Sequence, residues 1–327
     1  MYCLSCGQPI PENCTDAERT SQWHQHCAVR FFGPKGMPEL DISDDRLEQI
    51  IDDNLKNGYT IPGIQKKMSL HLFSLDNDNR LILIDYPSGY ILKPQTPEFK
   101  YLPEYEYLAM SLARKIGIQV APFALIKNGD NLAYITRRID RTFKTEEKLA
   151  MEDFCQLAEK LTEDKYMGSY ESCAKIIKRY SSRYMLDVSE LFTQVLFAFI
   201  VGNSDLHLKN FSLIELTPGS REFKLSQAYD ILPVKVILPD DQEQLALSLH
   251  GKKNKIKLED FLAFADAIEL GQPTAQRIIN KVISDIPALK QICQHSFLPA
   301  ADADQVSSYM DTAQMSLTNS HKGGLDS

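Results

Sequence analysis

The segment Gly202-Asn203-Ser204-Asp205-Leu206-His207-Leu208-Lys209-Asn210 constrains this chain more than any other. It follows an apolar run with helical spacing, Leu191, Val195, Leu196 and Phe199, which Gly202 is suited to stop. It precedes Phe211-Ser212-Leu213-Ile214, which reads as a short strand. A loop between two apolar elements is a costly place to gather Asp, His, Lys and Asn, because polar groups leaving water must each find a partner. Four of them there point to chemistry rather than packing. Any fold for this chain must hold that loop between a buried helix and a strand.

The chain has 327 residues, more than most single cores hold, and suits two lobes or domains. Its 43% hydrophobic and 24% charged residues are ordinary for a soluble globular protein. A formal net charge of -8 disfavours broad nucleic-acid binding, which is driven by phosphate neutralisation. The N-terminus lacks a basic region followed by an apolar run, so no secretory signal is expected. The most apolar stretch, Val195 to Val201, is too short to span a bilayer. The expected compartment is the cytoplasm, without membrane partners. Of seven cysteines, four lie in the first 27 residues. An odd count without an export signal argues against disulfides, and clustering argues for metal.

Residues 1–35 form a Cys/His-rich segment ending in a Gly/Pro connector, Phe31 to Gly36. Ser43 suits the cap of a helix through Leu47, Ile50, Ile51 and Leu55, with Gly58 as its stop. Residues 59–140 read as β-rich with one helix, Pro103 to Ile116. Strands are expected at His71–Phe73, Leu81–Ile84, Tyr90–Lys93, Phe123–Ile126 and Leu132–Thr136, with a turn at Asp76–Asn79. The remainder is mostly helical: Met151–Leu161, Ser172–Arg179, Val188–Val201 and much of 258–318, with a short strand at Phe223–Leu225 and a polar tail at 319–327. The fold class is α+β: a Cys/His segment (1–35), a small β-rich lobe (36–140) and a larger helical lobe (141–318).

Phosphoryl transfer needs a carboxylate for the acceptor hydroxyl, metal ligands, and a lysine on the phosphates. Asp205 and Asn210 have the D-x4-N spacing that protein kinases give to a catalytic Asp and a magnesium-binding Asn. Asp230, after the Phe223–Leu225 strand, stands where the second magnesium ligand belongs. Lys93 ends a strand, and Glu106 lies about one turn into the next helix, an order that mirrors the kinase Lys–Glu pair. Each is weak alone; the ordered set gives a two-lobed, protein-kinase-like reading.

Asn203-x-Asp205-x-His207-x-Lys209-Asn210-x-Ser212, followed by Ala228-Tyr229-Asp230, resembles the HipA-type toxin kinases of bacterial toxin–antitoxin systems. Ile61 to Lys67 resembles their Gly-x-Gln-x-Lys nucleotide loop, Ile91-Leu92-Lys93-Pro94 their ATP-lysine strand, and Arg138-Ile139-Asp140-Arg141 the segment after their interlobe hinge. The resemblance covers roughly residues 55–310. It implies an ATP- and magnesium-dependent Ser/Thr protein kinase. Asp205 would be catalytic, with His207 and Lys209 supporting the loop or the transferring phosphate. Asn210 and Asp230 would hold Mg2+. Gly63, Gln65, Lys67, Lys93, Glu106, Arg137 and Ile139 would complete the nucleotide site. Thr60 stands where relatives carry an autophosphorylated serine. The implied partners are a HipB-like helix-turn-helix antitoxin and/or a HipS-like small protein, with DNA reached only through the antitoxin. The implied substrate is a translation component such as an aminoacyl-tRNA synthetase. The short N-terminal region resembles the short toxins of three-gene systems, whose missing subdomain is a separate protein. A small-molecule or lipid kinase, or a zinc-containing regulatory module with a degenerate kinase body, are the rival readings.

Cys3-x2-Cys6-x17-His24-x2-Cys27 supplies two ligand pairs for structural Zn2+. Trp23 beside His24 resembles half of a LIM-type finger. Cys14 and His26 are spare ligands, and Cys155, Cys173 and Cys293 are expected in the core. Lys252 to Lys257 is a basic patch, either solvated or facing an anionic partner.

Overall fold

The structure, a computed structural model, describes residues 1–41, 67–75, 78–83, 89–143 and 147–318. Thr60, Gly63 and Gln65 lie outside these residues, as do the helix expected after Ser43 and the polar tail. The chain divides into two compact units, Met1–Tyr107 with Ala121–Arg141, and Leu108–Val120 with Thr142–Ser327.

The first unit opens with short helices α1 (Asp16–Ser21) and α2 (Gln25–Phe32). Thr15 and Glu18 form a capping box that starts α1. A sheet follows: β1 (Glu39–Asp41), β2 (Met68–Leu75), β3 (Asp78–Leu83), β4 (Tyr90–Lys93), β5 (Phe123–Asn128) and β6 (Asn131–Arg137). Their order is β1-β3-β2-β4-β6-β5, antiparallel except for the parallel β1–β3 pair. Helix α3 (Leu102–Lys115) has Pro103 in its first turn and is followed by Gly117 at φ 98°. Phe31 and Phe32 belong to α2 and are buried with Trp23 and Tyr90, rather than forming a connector. Apolar aromatics three and four positions after Ala28 and Cys27 continue its buried face.

The second unit contains β7 (Met151–Asp153), α4 (Phe154–Leu157), α5 (Tyr170–Tyr180), α6 (Tyr184–Val201), β8 (Ser212–Glu215), β9 (Phe223–Leu225), α7 (Val234–Ile237), α8 (Leu258–Ala267), α9 (Gln272–Gln294) and α10 (Ala300–Thr318). The helix expected over 151–161 is therefore a strand followed by one helical turn. Met151–Asp153 pairs with β8, and Asp153 caps α4 with Gln156, so the chain leaves the sheet there. Helix α6 is the centre of this unit. It is long and apolar enough to cross a membrane by composition, a longer apolar element than Val195–Val201 alone, yet 67% of it is buried within the protein. Phe192 stacks on Phe264 at 5.7 Å and Phe199 meets Phe261 edge-on at 5.5 Å, which fixes α6 against α8. At the start of α6, buried Asp187 accepts from Ser181 Oγ, Arg183 Nη2 and the Leu225 backbone N–H, tying the helix to β9. Cys155, Cys173 and Cys293 are buried core residues.

Candidate active site and metal centre

Gly202 ends α6 in the left-handed region at φ 76°. A Cβ there would lie 2.9 Å from Tyr309 Cε1 and 3.0 Å from Lys235 Cβ, so only glycine lets the chain turn off the helix at this place. The loop that follows is held largely by its own polar groups. The Asp205 N–H donates to Asn203 Oδ1 at 3.2 Å, and the His207 N–H donates to Asn210 Oδ1 at 3.0 Å. Ser204 Oγ donates to Asp241 at 2.5 Å. Lys209 Nζ pairs with Asp153 at 2.7 Å, which anchors this end of the loop to β7. His207 and Asn210 are buried, whereas the Asp205 side chain is 34% exposed. Asp205 is thus the member of the loop most open to a reactant.

Asp230 is half-buried and adopts φ 60°, a strained backbone region that a non-glycine residue occupies mainly at functional sites. Its neighbour Tyr229 links it to the loop. The Tyr229 hydroxyl donates to the Lys209 carbonyl at 3.1 Å and lies 2.6 Å from Ser212 Oγ. Burial raises the Tyr229 pKa, so the hydroxyl stays a donor. Asn210 and Asp230 offer hard oxygen donors of the kind that suit Mg2+.

In the first unit, Lys93 Nζ lies 2.5 Å from Glu106 Oε1, with the two side chains 4% and 1% exposed. Lys93 also stands 5.3 Å from the centre of the Tyr134 ring. A fully buried ion pair is an expensive way to stabilise a fold, which makes this pair a candidate for function. Lys67 immediately precedes β2 and is half-buried. Arg137 ends β6, where burial lowers its pKa, and Ile139 is half-buried. Asp140, next to Ile139, is gripped by Arg138 at 2.7 and 2.9 Å and by Arg141 at 3.0 Å. Burial pushes its pKa up, but these cations outweigh it and hold the carboxyl below its ordinary value.

The Cys3, Cys6, His24 and Cys27 ligand atoms all lie within 4.8 Å of one another. His24 Nδ1 is 3.4 Å from Cys6 Sγ and 3.9 Å from Cys27 Sγ. Zinc–sulfur bonds of about 2.3 Å set a tetrahedral edge of about 3.8 Å, which these spacings fit. His24 Nε2 lies 3.1 Å from the Pro9 carbonyl, a partner that puts the proton on Nε2 and leaves Nδ1 to ligate. Gly7, at φ 72°, turns the chain after the first pair. Burial first, and then the neighbouring thiols, push Cys27 up to about 12 and raise Cys6. Among the described residues, Cys14 is not part of this cluster; His26 stacks on His24 and lies 3.4 Å from Cys27 Sγ. The segment closes the outer edge of β5. The Leu125 N–H donates to the Leu4 carbonyl at 2.9 Å, and Trp23 Nε1 donates to the Leu125 carbonyl at 3.0 Å.

The basic patch is largely neutralised locally. Lys252 pairs with Asp260 at 2.7 Å and Lys253 with Glu243 at 3.2 Å, while Lys257 lies 4.0 Å from Glu259 on the surface. Tyr166, which bonds Asp205, carried no sequence signal, and Tyr229 entered only within the Ala228-Tyr229-Asp230 motif, because each reaches the loop from a distant segment.

Residues 59–289 match the model of the HipA-like C-terminal domain. A Haemophilus influenzae protein named as an inferred kinase is 26% identical over 298 residues, 82% of this chain and 84% of that protein. The serine/threonine-protein kinase toxin HipA of Shewanella oneidensis is 24% identical over 311 residues, 84% of this chain and 70% of that one. The solved Shewanella oneidensis HipA in complex with HipB and operator DNA superposes with a TM-score of 0.69 at 19% identity, covering 88% of this chain and 74% of that one. The α+β, kinase-like fold is thereby shared, and the chain belongs to the HipA-like family.

Proposed function

We propose that this chain is an ATP- and magnesium-dependent serine/threonine protein kinase that acts as the toxin of a toxin–antitoxin pair. One observation carries the reading: Asp205 is a partly open carboxylate on a loop whose backbone is held by the side chains of Asn203 and Asn210. Family membership and the kinase names of the relatives support the same chemistry. In the reaction, the acceptor hydroxyl oxygen bonds to the γ-phosphorus as the bond to the β-phosphate oxygen of ADP breaks. Asp205 orients that hydroxyl and receives its proton. His207 and Lys209 keep the loop in shape. Asn210 and Asp230 would hold Mg2+, which when bound neutralises charge on the phosphates. Lys93, oriented by Glu106, is assigned to the ATP phosphates. Gly63, Gln65, Lys67, Arg137 and Ile139 are assigned to the nucleotide by resemblance, and Thr60 to autophosphorylation.

A HipB-like helix-turn-helix antitoxin is the proposed partner, in keeping with the HipB complex of the Shewanella protein, with operator DNA contacted through the antitoxin. A HipS-like small protein and an aminoacyl-tRNA synthetase substrate are proposed from the resemblance alone, as is a cytoplasmic location. Cys3, Cys6, His24 and Cys27 are proposed to hold structural Zn2+.

The test is transfer of labelled γ-phosphate from ATP by the purified chain. Asp205→Asn should lower the rate by about 10²–10⁴-fold. Full activity in that variant would remove Asp205 from the chemistry. Intact-mass analysis of active protein should find one added phosphate, lost in Thr60→Ala. Metal analysis should find close to one zinc per chain.

A further inference from the structure

The segment between Leu161 and Tyr170 grips the loop from outside, and the phosphotransfer reading does not use it. Tyr166 Oη donates to Asp205 Oδ1 at 2.6 Å, a short bond of the charge-assisted kind. Its ring meets the buried His207 imidazole edge-on at 5.1 Å, and Lys165 Nζ stands 4.8 Å from the ring centre. The ring is therefore held between two other side chains while its hydroxyl reaches the carboxylate.

The segment itself is tied down on both sides of Tyr166. The Leu208 N–H donates to the Lys165 carbonyl at 3.1 Å, and Tyr170 Oη donates to the Leu206 carbonyl at 3.1 Å. Tyr170 is fully buried. These bonds, to Leu206 and Leu208 just after Asp205, flank Tyr166 on its own segment, so the loop and the tyrosine segment form one hydrogen-bonded piece. Tyr166, by contrast, is 41% exposed, so burial of its own ring explains little of its fixed place. Burial, then the bond to Asp205, pushes the Tyr166 pKa well up, so the hydroxyl keeps its proton and remains a donor at neutral pH.

We infer that Tyr166 is a positioning residue for Asp205, holding Oδ1 so that Oδ2 is presented to the acceptor hydroxyl. The inference rests on the phosphotransferase reading of Asp205. The Asn203 bond fixes only the backbone at Asp205, and His207 Nε2 stays 4.0 Å from Oδ1. The short Tyr166 bond holds Oδ1 directly, and small errors in placing a reactive group cost large factors in rate.

Full-length wild type, Tyr166→Phe, Asp205→Asn and the double variant separate these ideas. The assay is labelled γ-phosphate transfer from ATP to a degenerate serine/threonine peptide pool. Tyr166→Phe keeps the ring on His207 and removes only the hydroxyl. It should lower kcat about ten-fold while leaving KM for ATP and the melting temperature close to wild type. In the Asp205→Asn background the same change should cost nothing further, because the carboxylate it positions is gone. An equal loss in both backgrounds, or a loss that tracks melting temperature, would mean a merely structural tyrosine and would overturn the inference. A Tyr166→Phe rate equal to or above wild type would overturn it too, the latter by showing that the hydroxyl blocks Asp205. If Asp205→Asn transfers phosphate as well as wild type, the underlying reading fails instead.

Discussion

The Cys/His cluster and the Gly202–Asn210 loop are both gatherings of polar groups in largely buried surroundings, and they are completed in opposite ways. In the loop the chain answers its own groups: Asn203 takes the Asp205 N–H, Asn210 takes the His207 N–H, and Lys209 meets Asp153. In the cluster, three sulfurs and one imidazole nitrogen face one another, and burial, then the neighbouring thiols, drives Cys27 and Cys6 toward the protonated form. The loop is finished in part by residues far along the chain, whereas the cluster, on the proposed reading, would be finished by a cation. The first should tolerate metal removal and fail on backbone change, and the second the reverse.

Chelation is the sharpest way to break this contrast. Structural zinc in small modules contributes about 10–16 kcal/mol of apparent folding energy, and a part of that is expected here, since Trp23, Phe31 and Phe32 already bury an aromatic cluster. Stripping zinc, or Cys27→Ala, should lower the melting temperature more than any other change discussed. It should also speed exchange of the Leu125 amide, whose proton is held by the Leu4 carbonyl at 2.9 Å. Hydrogen exchange at Tyr170 and in α6 should stay protected. Unchanged exchange at Leu125 after metal loss would show that the cluster, like the loop, is completed by the chain.

Gly202→Ala is the corresponding test of the loop. The added methyl enters a space 2.9 Å from Tyr309 and forces an alanine to φ 76°. Overpacking and the left-handed backbone together should cost about 2–4 kcal/mol, read from urea unfolding. The zinc content should be untouched. A loss below about 0.5 kcal/mol would mean that the helix end yields easily and that the loop is less tightly specified than its contacts suggest.

What was legible in the sequence follows the same division. Ligand pairs three positions apart, and an Asp and Asn five apart, are local patterns, so Cys3, Cys6, His24, Cys27, Asp205 and Asn210 could be singled out without a fold. Lys93 and Glu106 were readable because a strand end and a helix start fix their directions. Gly63, Gln65 and Thr60 were read from resemblance and lie outside the described residues. The errors lie where distant pairing overrides local spacing. Met151–Asp153 has helical neighbours but is recruited as a strand by β8, about sixty residues later. Phe31 and Phe32 sat beside Gly and Pro and read as connector, yet Tyr90 on β4 draws them into a core. Tyr166 and Tyr229 reach the loop from 39 and 20 residues away, a relation that no periodicity encodes.

Glu104 lies between the two cases and gives the smallest test. It sits in the first turn of α3, buried, and among the described residues nothing bonds its Oε2. Burial pushes its pKa up to about 6, above the ordinary 4.5. A raised carboxyl pKa means that the fold favours the protonated form. This contribution to stability is fully present below pH 4.5 and is lost as pH rises through about 6. At pH 7.5 the ionised side chain should therefore cost about 2 kcal/mol relative to its neutral form. Glu104→Gln stays neutral throughout. It should gain up to about 2 kcal/mol on wild type at pH 7.5, less what its buried amide loses for want of partners, and show no such gain at pH 4.5. Urea unfolding at the two pH values measures the difference directly. If the variant shows the same offset at both, Glu104 is satisfied in the way the loop's residues are, and its burial carries no charge penalty.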